Sequence, residues 1–572
     1  MTRRIVIDPV TRIEGHAKIT LRLGDDGLVD DARFHVTEFR GFEAFCRGRP
    51  FHEMPALTAR TCGICPVSHV LTGAKAGDMI MAVKPPPAAR RMRRAMNLAQ
   101  ILQSHALSFF HLSAPDLLLG FDGDPAERHV FTLMRDQPDI ARRGVRLRRY
   151  GQALIEALGG RKIHPAWAVP GGVLSGIDPE GRARALAELP TVLDDIRWAL
   201  EQYDAICKAH PDEVAAFGDF KSLYMGLAND KGTWEHHEGD LRWIDQDGNR
   251  VGDDKPVRYY DEVIKETADV DTYLKSPYHA GVQGDAPVDV MAAGLYRVGP
   301  LARLNLAETM GTPEADAALE AFRARAGRIA TSSFHYHGAR LVEMLAALER
   351  LGDLLRDPDF DTGPLRGHAG INRHRGVGAS EAPRGTLIHD YQVDDEGLIT
   401  GVRMIIATGH NNLAMNRTIK QISRAFVTGP EVPEGVLNRI EAGIRAYDPC
   451  LSPEGVATRP VHGLVPELAV DLAEVDAVWF VDAAADLALA RPTWARVGAG
   501  AAGRGAGGGH ALDPAALLAW TEAWTGRVPE AWTLALPAGD FGLGEGWSVR
   551  GATSLREALG ELRSRLGIDA GG

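Results

Sequence analysis

The chain has 572 residues, and a usual domain size of roughly 100–200 residues predicts about three or four structural units. Hydrophobic residues make up 45% of the chain and charged residues 24%, which excludes disordered, collagen-like and coiled-coil classes. The net charge of −12 argues against nucleic acid as the main partner, because neutralising phosphates requires a clustered basic surface.

The cysteine count and the apolar stretches indicate a cytoplasmic protein. The five cysteines are Cys46, Cys62, Cys65, Cys207 and Cys450. An odd number in so long a chain does not make a disulfide framework and fits a reducing compartment. The first 16 residues hold arginines but no apolar segment, so we expect no secretory signal. The most apolar stretch, AVWFVDAAADLALA, is too short to cross a membrane and contains two aspartates.

Taken in chain order, the first three quarters of the sequence alternate between strand and helix patterns. Residues 4–38 alternate apolar and polar side chains around a Gly-Asp-Asp-Gly turn, which predicts an antiparallel meander. Residues 87–210 and 313–355 have the helical period, the latter interrupted near TSSFHYHG. Between them, residues 230–300 are rich in turn signals, and WIDQDGNRVGDD predicts a hairpin. A further hairpin is predicted over residues 385–408, around Asp-Asp-Glu-Gly.

These patterns predict an α+β body, mostly helical with antiparallel hairpins, that spans residues 1–452. The composition then changes to Ala, Gly and Trp with few lysines, and we place a boundary near Pro453. In residues 453–572, helical segments alternate with the apolar strands DAVWFVDA and AWTLALP, which predicts a small parallel α/β unit. The Gly-rich segment 498–509 is predicted to be a flexible loop, since no strand leads directly into it as a phosphate-binding loop requires.

The pair Cys62 and Cys65, in RTCGICPVSH, is the first motif that carries chemistry. Two thiolates at this spacing can bind one soft metal ion or form a redox disulfide. A zinc site needs two further ligands, and the other cysteines do not form a second pair. A thioredoxin-type site needs a βαβ setting, whereas this pair follows a helix-like turn and precedes a long helical region.

Several stretches elsewhere in the chain accompany this pair. They are RIEGHAKI (12–19), EFRGFEAFCRGRPF (38–51), EAPRGTLIHDY (381–391), NNLAMNRT (411–418) and GIRAYDPCLS (443–452). Together they resemble the large subunit of nickel–iron hydrogenases over residues 1–452. RIVIDPVTRIEGHAKI and EAPRGTLIHDY are most similar to the cytoplasmic, bidirectional, NAD-linked branch of that family.

The resemblance implies an enzyme that reversibly splits dihydrogen at a nickel–iron centre whose iron carries carbon monoxide and cyanide. It implies electron transfer through an iron–sulfur small subunit toward NAD(P), diaphorase subunits as further partners, and maturation factors. It assigns Cys62 and Cys450 as terminal nickel thiolates and Cys65 as the bridge to iron. Soft thiolates suit nickel, and low-coordinate nickel leaves a position for hydride.

The resemblance also assigns roles to residues outside the cysteines. It makes Glu14 the proton acceptor and Arg384 the guanidinium over the diatomic ligands, with Pro383 in the same wall. His69 is implied to orient a bridging thiolate, and Glu43 to hold a magnesium ion. The alternatives are a salt bridge for Glu14 and a satisfied core position for His69.

The sequence departs from the family's second motif, Asp-Pro-Cys-x-x-Cys-x-x-His, after Cys450. Pro453 occupies the place of the fourth cysteine and Val456 that of the histidine. The segments that follow resemble the hydrogenase maturation endopeptidase, with Asp482 and His510 matching two of its metal-sensing ligands. Its opening strand and first acidic ligand are missing, so we expect a truncated endopeptidase-like segment without peptidase activity.

Three other interpretations of the chain stay open on the sequence alone. The first is a non-catalytic or metal-deficient fusion product, since proline offers no fourth thiolate. The second is a three-cysteine zinc protein with a histidine as fourth ligand. The third is a quinone-reductase component, a class that resembles this body but lacks the cysteine pair.

Overall fold

The computed structural model describes residues 3–37, 41–268, 272, 274–283, 294–451, 477–484, 493–497, 518, 522 and 530–537. The chain divides into two compact units, Met1–Arg459 and Pro460–Gly572. Among the described residues, no helix has both the length and the apolar character needed to cross a membrane.

The first unit combines many helices with small sheets, as the predicted α+β class requires. Its strands are β1 (Arg3–Ile7), β2 (Ala17–Leu23), β3 (Val29–Val36), β4 (Ala168–Val169), β5 (Gly172–Val173), β6 (Leu223–Ala228), β7 (Asp240–Ile244), β8 (Ile264–Ala268), β9 (Lys275–His279), β10 (Tyr296–Arg297), β11 (Arg375–Ala382), β12 (Gly385–Val393) and β13 (Ile399–Ile405). Its helices are α1 (Phe42–Phe45), α2 (Met54–Thr58), α3 (Pro66–Met81), α4 (Pro87–Leu107), α5 (Ala114–Leu119), α6 (Val130–Asp136), α7 (Pro138–Gly159), α8 (Pro179–Ala209), α9 (Pro211–Ala216), α10 (Tyr260–Val263), α11 (Ala280–Gln283), α12 (Pro300–Leu306), α13 (Pro313–Ala326), α14 (Tyr336–Arg356), α15 (Asn412–Phe426) and α16 (Glu434–Arg445).

The N-terminal meander is confirmed. Strands β1, β2 and β3 form an antiparallel sheet in that order. The alternation seen in the sequence places Ile19, Leu21 and Phe34 in the core, while the side chains between them are more exposed. The face so formed packs against α15, which holds one end of the chain against a late helix.

Four long helices, α4, α7, α8 and α14, pack against one another and form the centre of the unit. The predicted helical regions are confirmed, including the interruption, which consists of a non-helical segment at 327–332 and a 3-10 turn at Ser333–His335 before α14. Helix α8 begins where the Asp178 side chain accepts a hydrogen bond from the Gly181 N–H, at 2.8 Å. Helix α4 continues through a π-helical segment, Ser108–Ser113, into α5.

A second antiparallel sheet, β11–β12–β13, packs on helix α3. The hairpin predicted over residues 385–408 is confirmed as β12 and β13. The hairpin predicted at WIDQDGNRVGDD is also confirmed, with antiparallel bridges Leu241↔Lys255 and Ile244↔Arg250 beyond β7. The turn between β11 and β12 carries Pro383 and Arg384, and α3 begins directly after Cys65. The packing of α3 on this sheet therefore brings the Cys62–Cys65 motif and the Pro383–Arg384 turn close together.

The described part of the second unit contains β14 (Ala477–Ala484), β15 (Thr493–Val497) and β16 (Glu530–Pro537). The two predicted apolar strands are confirmed, and they pair in parallel as β14 and β16. The predicted parallel pairing is joined by an antiparallel one, because β15 pairs antiparallel with β16. Its sequence, TWARV, alternates in polarity, as edge strands of mixed sheets do. The predicted helices of this unit, apart from Leu518 and Glu522, and the loop 498–509 lie outside the described residues.

Candidate metal centre

Three cysteine thiols from the two ends of the first unit converge at one point. The sulfur atoms of Cys62, Cys65 and Cys450 all lie within 4.8 Å of one another. The Sγ atoms of Cys62 and Cys450 are 2.9 Å apart, although 388 positions separate them in sequence. Cys46 and Cys207, which had no motif support, do not join this group within the described part of the chain.

Backbone and amide groups fix the loop that carries the cysteine pair. The N–H groups of Ile64 and Cys65 donate to Cys62 Sγ at 3.3 and 3.2 Å. The side chains of Gln100 and Gln103, on α4, donate to the Ile64 carbonyl at 3.0 and 2.8 Å. The Cys-x-x-Cys loop is thus held from the helix beneath it, with both thiols turned to the same side.

Cys450 is held by a backbone pairing with the RIEGH segment. Glu14 and Cys450 form a parallel bridge, and the Leu451 N–H donates to the carbonyl and to Oε2 of Glu14, at 3.0 and 2.8 Å. Gly15 permits this approach: it has φ +81°, and a Cβ placed on it would lie 2.6 Å from the Leu451 carbonyl carbon. The Cys450 N–H also donates to Thr408 Oγ1 at 3.0 Å.

Arg384 supplies positive charge beside the thiols. Its Nη2 lies 3.1 Å from Asp448 Oδ2, its Nε donates to the Asp448 carbonyl, and both side chains are only 2% exposed. Nη1 lies 3.4 Å from Ser104 Oγ on α4. Burial opposes the charged form, but Asp448 and the three cysteines outweigh it and raise the pKa of Arg384. The guanidinium is therefore a permanent cation at this site.

The thiols themselves differ in acidity. Burial raises the pKa of the Cys62 thiol, but hydrogen bonds from Cys450 and Cys65 and the charge of Arg384 outweigh burial and lower it well below its usual range. Cys62 is thus the most acidic of the three thiols. Three convergent sulfur ligands fit a soft transition-metal ion.

His69 faces the same cavity and ends a chain of buried polar groups. Its Nδ1 lies 3.2 Å from Nε2 of His389, whose Nδ1 lies 2.6 Å from the Tyr391 hydroxyl. Burial lowers the pKa of His69 to about 4, so the ring is neutral. Tyr391, His389 and His69 thus form one continuous hydrogen-bonded chain that ends at the cavity.

Of the remaining predicted residues, Pro383 and Glu43 neighbour or contact residues that line the cavity. Pro383 lies between two cavity-lining residues, and its carbonyl accepts a hydrogen bond from Arg303. Glu43 Oε1 accepts from the N–H of Met404, a residue that lines the cavity. Asp482 lies in β14 of the second unit, where only its backbone is described, and His510 lies outside the described residues.

Sequence reasoning missed several residues that complete the site. Asp448 was visible as part of Asp-Pro-Cys, but its pairing with Arg384 was not foreseen. His389 lies within EAPRGTLIHDY, but the sequence did not indicate its contact with His69. Ser104 and Thr408 stand in no motif that could have indicated them.

Comparison with known proteins agrees with this geometry. A family model described as HoxL-like matches residues 4–39, and one described as nickel-dependent hydrogenase matches residues 40–119. The chain is 40% identical over 472 residues to the NAD-reducing hydrogenase HoxS subunit beta of Cupriavidus necator, covering 79% of this chain and 94% of that protein. It is 38% identical over 423 residues to an F420-non-reducing hydrogenase vhu subunit from Methanococcus voltae, covering 74% and 99%.

Solved structures show the same relation. A crystal structure of an NAD+-reducing [NiFe]-hydrogenase in the H2-reduced state matches with a TM-score of 0.76 at 43% identity, covering 79% of this chain and 99% of that one. The Ni-Fe-Se hydrogenase of D. vulgaris Hildenborough shares the fold at 23% identity, with a TM-score of 0.64.

The fold and the thiol cluster define a protein that can hold a soft metal ion, and the relatives identify its family. The chain belongs to the nickel-dependent hydrogenase family. The predicted hydrogenase activity and nickel–iron cofactor are confirmed by this membership. The zinc-protein and quinone-reductase interpretations are wrong, and the non-catalytic one is not favoured.

Proposed function

We propose that the chain is the catalytic large subunit of a cytoplasmic, NAD-linked hydrogenase complex. The observation that carries this proposal is the convergence of Cys62, Cys65 and Cys450 beside the Arg384–Asp448 pair. NAD+ as the electron acceptor is supported by the NAD-reducing relative and by the solved structure of an NAD+-reducing hydrogenase. The chain aligns with nearly the whole length of both.

Cys62, Cys65 and Cys450 would hold the nickel–iron centre, and the family motif assigns Cys65 as a ligand to both metals. When bound, this centre would supply the site at which dihydrogen is polarised. Arg384 would direct its guanidinium toward the diatomic ligands, because a planar cation with several donors suits cyanide nitrogens. Pro383 stiffens the turn that carries Arg384, since its ring fixes φ. His69, which lines the same cavity, would orient a thiolate by a hydrogen bond.

Glu14 takes the proton that leaves dihydrogen. Its Oε2 accepts a hydrogen bond from the Leu451 N–H at 2.8 Å, which holds the carboxylate in a fixed position next to the Cys450 segment. The residue is buried, at 8% exposed, so the carboxylate is shielded from bulk water.

Electrons leave through an iron–sulfur small subunit, then reach NAD(P) through diaphorase subunits. Glu43, held against the Met404 N–H beside the cavity, binds the magnesium ion. Maturation factors load the metals. The catalytic region is residues 1–452, and residues 453–572 are a truncated maturation endopeptidase-like segment, with Asp482 and His510 as remnants of its metal ligands.

The test is purification of the complete complex from cells that express this chain with its partner subunits. We expect nickel and iron in the preparation, infrared bands of bound carbon monoxide and cyanide, and hydrogen-dependent reduction of NAD+. NADP+ in a parallel assay separates the two acceptors. An assembled complex without nickel and without these bands would support the metal-deficient alternative, in which Pro453 in place of a fourth cysteine prevents loading.

The tail has its own test. The purified full-length chain is incubated with an unprocessed large-subunit precursor, and the precursor is followed by mass spectrometry. We expect no cleavage, and removal of the C-terminal extension would contradict the assignment of the tail as an inactive remnant.

A further inference from the structure

Arg303 is a fully buried arginine on α12, outside every motif that the sequence analysis used. Its side chain is 1% exposed, and its guanidinium points at the turn between β11 and β12. A buried guanidinium requires acceptors for its N–H groups, since an unpaired charge in the interior is costly. The identity of those acceptors shows what this side chain does.

One side of Arg303 holds three consecutive residues that lead into Arg384. Nη1 donates to Glu381 Oε2 at 2.8 Å and to the Ala382 carbonyl at 2.9 Å. Nη2 donates to the Pro383 carbonyl at 3.1 Å. The fork geometry of a guanidinium satisfies all three at once, which an ammonium cannot do.

The other side of Arg303 is fixed to the helical centre of the unit. Nε and Nη2 donate to the two carboxylate oxygens of Glu343, on α14, at 2.6 and 2.7 Å. Glu343 accepts in addition from Trp234 Nε1 at 2.9 Å and from His105 Nε2 at 2.8 Å. Burial lowers the pKa of His105 to about 4, so the histidine is neutral and acts as a hydrogen-bond donor.

The second strand of the hairpin is tied to the same group. Glu381 Oε1 accepts from Thr386 Oγ1 at 2.7 Å and from the Leu227 N–H at 2.8 Å. On the far side of the turn, Gly299 has φ +95°, and a Cβ on it would lie 2.7 Å from the Arg384 carbonyl oxygen. The turn is therefore held by Arg303 on one side and by close contact with Gly299 on the other, which restricts movement of the Arg384 backbone.

We propose that Arg303 is a positioning residue that sets the location of the Arg384 guanidinium beside the thiols. A buried ion pair contributes little net stability, because desolvation offsets its Coulomb energy, but it specifies geometry. A displacement of about 1 Å at a reacting group can cost roughly 100-fold in rate. This inference rests on the proposed role of Arg384.

The experiment compares five variants of the purified complex, in metal content, infrared bands and hydrogen-oxidation rate. They are Arg303→Lys, Glu381→Gln, Arg384→Lys, the double variant Arg303→Lys/Arg384→Lys, and Arg93→Lys. Arg93 is the matched control: it is equally buried and pairs with a carboxylate at 2.6 Å, but it does not contact the turn. Glu381→Gln keeps the shape of the side chain and tests the proposal if Arg303→Lys does not assemble.

We expect Arg303→Lys to retain nickel and iron, to lose at least about tenfold in rate, and to shift the cyanide bands in the same direction as Arg384→Lys. Glu381→Gln should shift them less, and Arg93→Lys not at all. The double variant should be no slower than Arg384→Lys, because a residue that acts through another adds no further loss.

Multiplied losses in the double variant, or unshifted bands in both Arg303→Lys and Glu381→Gln, would overturn the positioning role while leaving the proposed function intact. A wild-type rate in Arg384→Lys would contradict the proposed role of Arg384 and the positioning role with it. Absence of nickel, of the infrared bands and of hydrogen oxidation in the unsubstituted complex would instead contradict the proposed function.

Discussion

Arg384 and Asp448 form an ion pair at 3.1 Å in which each side chain is 2% exposed. Asp448 directly precedes the Pro449-Cys450 segment, whereas Arg384 lies in the turn after β11, so the pair joins two motifs across the cavity. Burial raises the pKa of Asp448 against the opposing charge of Arg384. Asp448 therefore holds Arg384, which lines the cavity beside the thiols.

Replacing Asp448 tests how much this pair matters. Asp448→Asn keeps the shape of the side chain but leaves the buried guanidinium without its carboxylate, which typically costs roughly 3–5 kcal/mol. We expect a clearly lower thermal unfolding midpoint of the assembled complex. Asp194→Asn, at an exposed pair with Arg197, is the control and should change the midpoint little. Equal midpoints for the two variants would contradict the prediction.

Glu14→Gln tests proton transfer apart from metal binding. The glutamine carbonyl can still accept from the Leu451 N–H, so the pairing with the Cys450 segment should persist. The variant cannot take up a proton, and loss of a positioned acid–base group typically costs roughly 100- to 10,000-fold in rate. We expect an unchanged content of nickel and iron and a rate reduced to that extent. The rate is measured by hydrogen oxidation and by the isotope exchange between deuterium gas and water that the enzyme catalyses. A near-normal exchange rate would show that another group takes the proton.

Gly15→Ala tests the contact between the N-terminal segment and the end of the body. The new methyl group would meet the Leu451 carbonyl carbon at 2.6 Å, which displaces the Cys450 segment. Gly48→Ala is a matched control, because Gly48 has φ +77° but no neighbour within 4 Å of the added carbon. We expect nickel content to fall several-fold in Gly15→Ala and to stay normal in Gly48→Ala. Equal nickel content in the two variants would contradict the prediction. If both were equally low, the positive φ alone would account for the loss, and if both were normal, the contact would not matter for loading.

Acid should destabilise the fold before its carboxylates titrate. Burial lowers the pKa of several histidines to about 3 or about 4, namely His105, His111, His335, His337 and His410. Unfolded histidines bind protons below their ordinary pKa of about 6.5, whereas these stay neutral in the fold until lower pH. The free energy of unfolding must therefore fall as pH drops from about 6.5 toward 4.

The measurement is the thermal unfolding midpoint between pH 7.5 and pH 5. His337→Phe removes one of these groups and should flatten the dependence, because the phenyl ring takes up no proton. His374→Gln is the control, since the His374 side chain is 63% exposed, and should leave the slope unchanged. A midpoint that does not move between pH 7.5 and pH 5 would contradict the prediction.

Pro453→Cys tests the departure from the family's second motif. A fourth thiolate should raise the nickel content per chain, because soft metals are held more tightly by additional sulfur ligands. Pro453→Ser removes the proline without adding a thiolate and should leave the nickel content as it is. Metal analysis of the three purified complexes decides this, and equal nickel in all of them would show that position 453 does not limit loading.

Local signals in the sequence predicted most of the first unit's elements. The meander over residues 4–38 and the hairpin over 385–408 follow from alternation around short acidic-glycine turns, which constrain the chain locally. The antiparallel strand β15 was missed because five residues with two large polar or aromatic side chains give a weak signal. Its direction depends on a partner strand more than 30 residues later.

The site was predicted less completely than the fold. Cys62 and Cys450 are 388 positions apart, and no periodicity relates them; only the family motifs placed them together. The Arg384–Asp448 pair and the Arg303 contacts arise from tertiary packing between elements, which a pattern in one segment cannot encode. Motifs thus indicated the ligands, whereas the groups that orient them required the structure.

The contact between Cys62 and Cys450 also constrains when the centre can form. A ribosome that has just made Cys62 must add 388 residues before Cys450 exists, which at about 5–20 residues per second takes roughly 20 to 80 s. During that interval the nascent chain carries two of its three cluster thiols without the third. Metal loading can be completed only after nearly the whole body has been synthesised, so a chain that stops early leaves the ribosome without a complete centre.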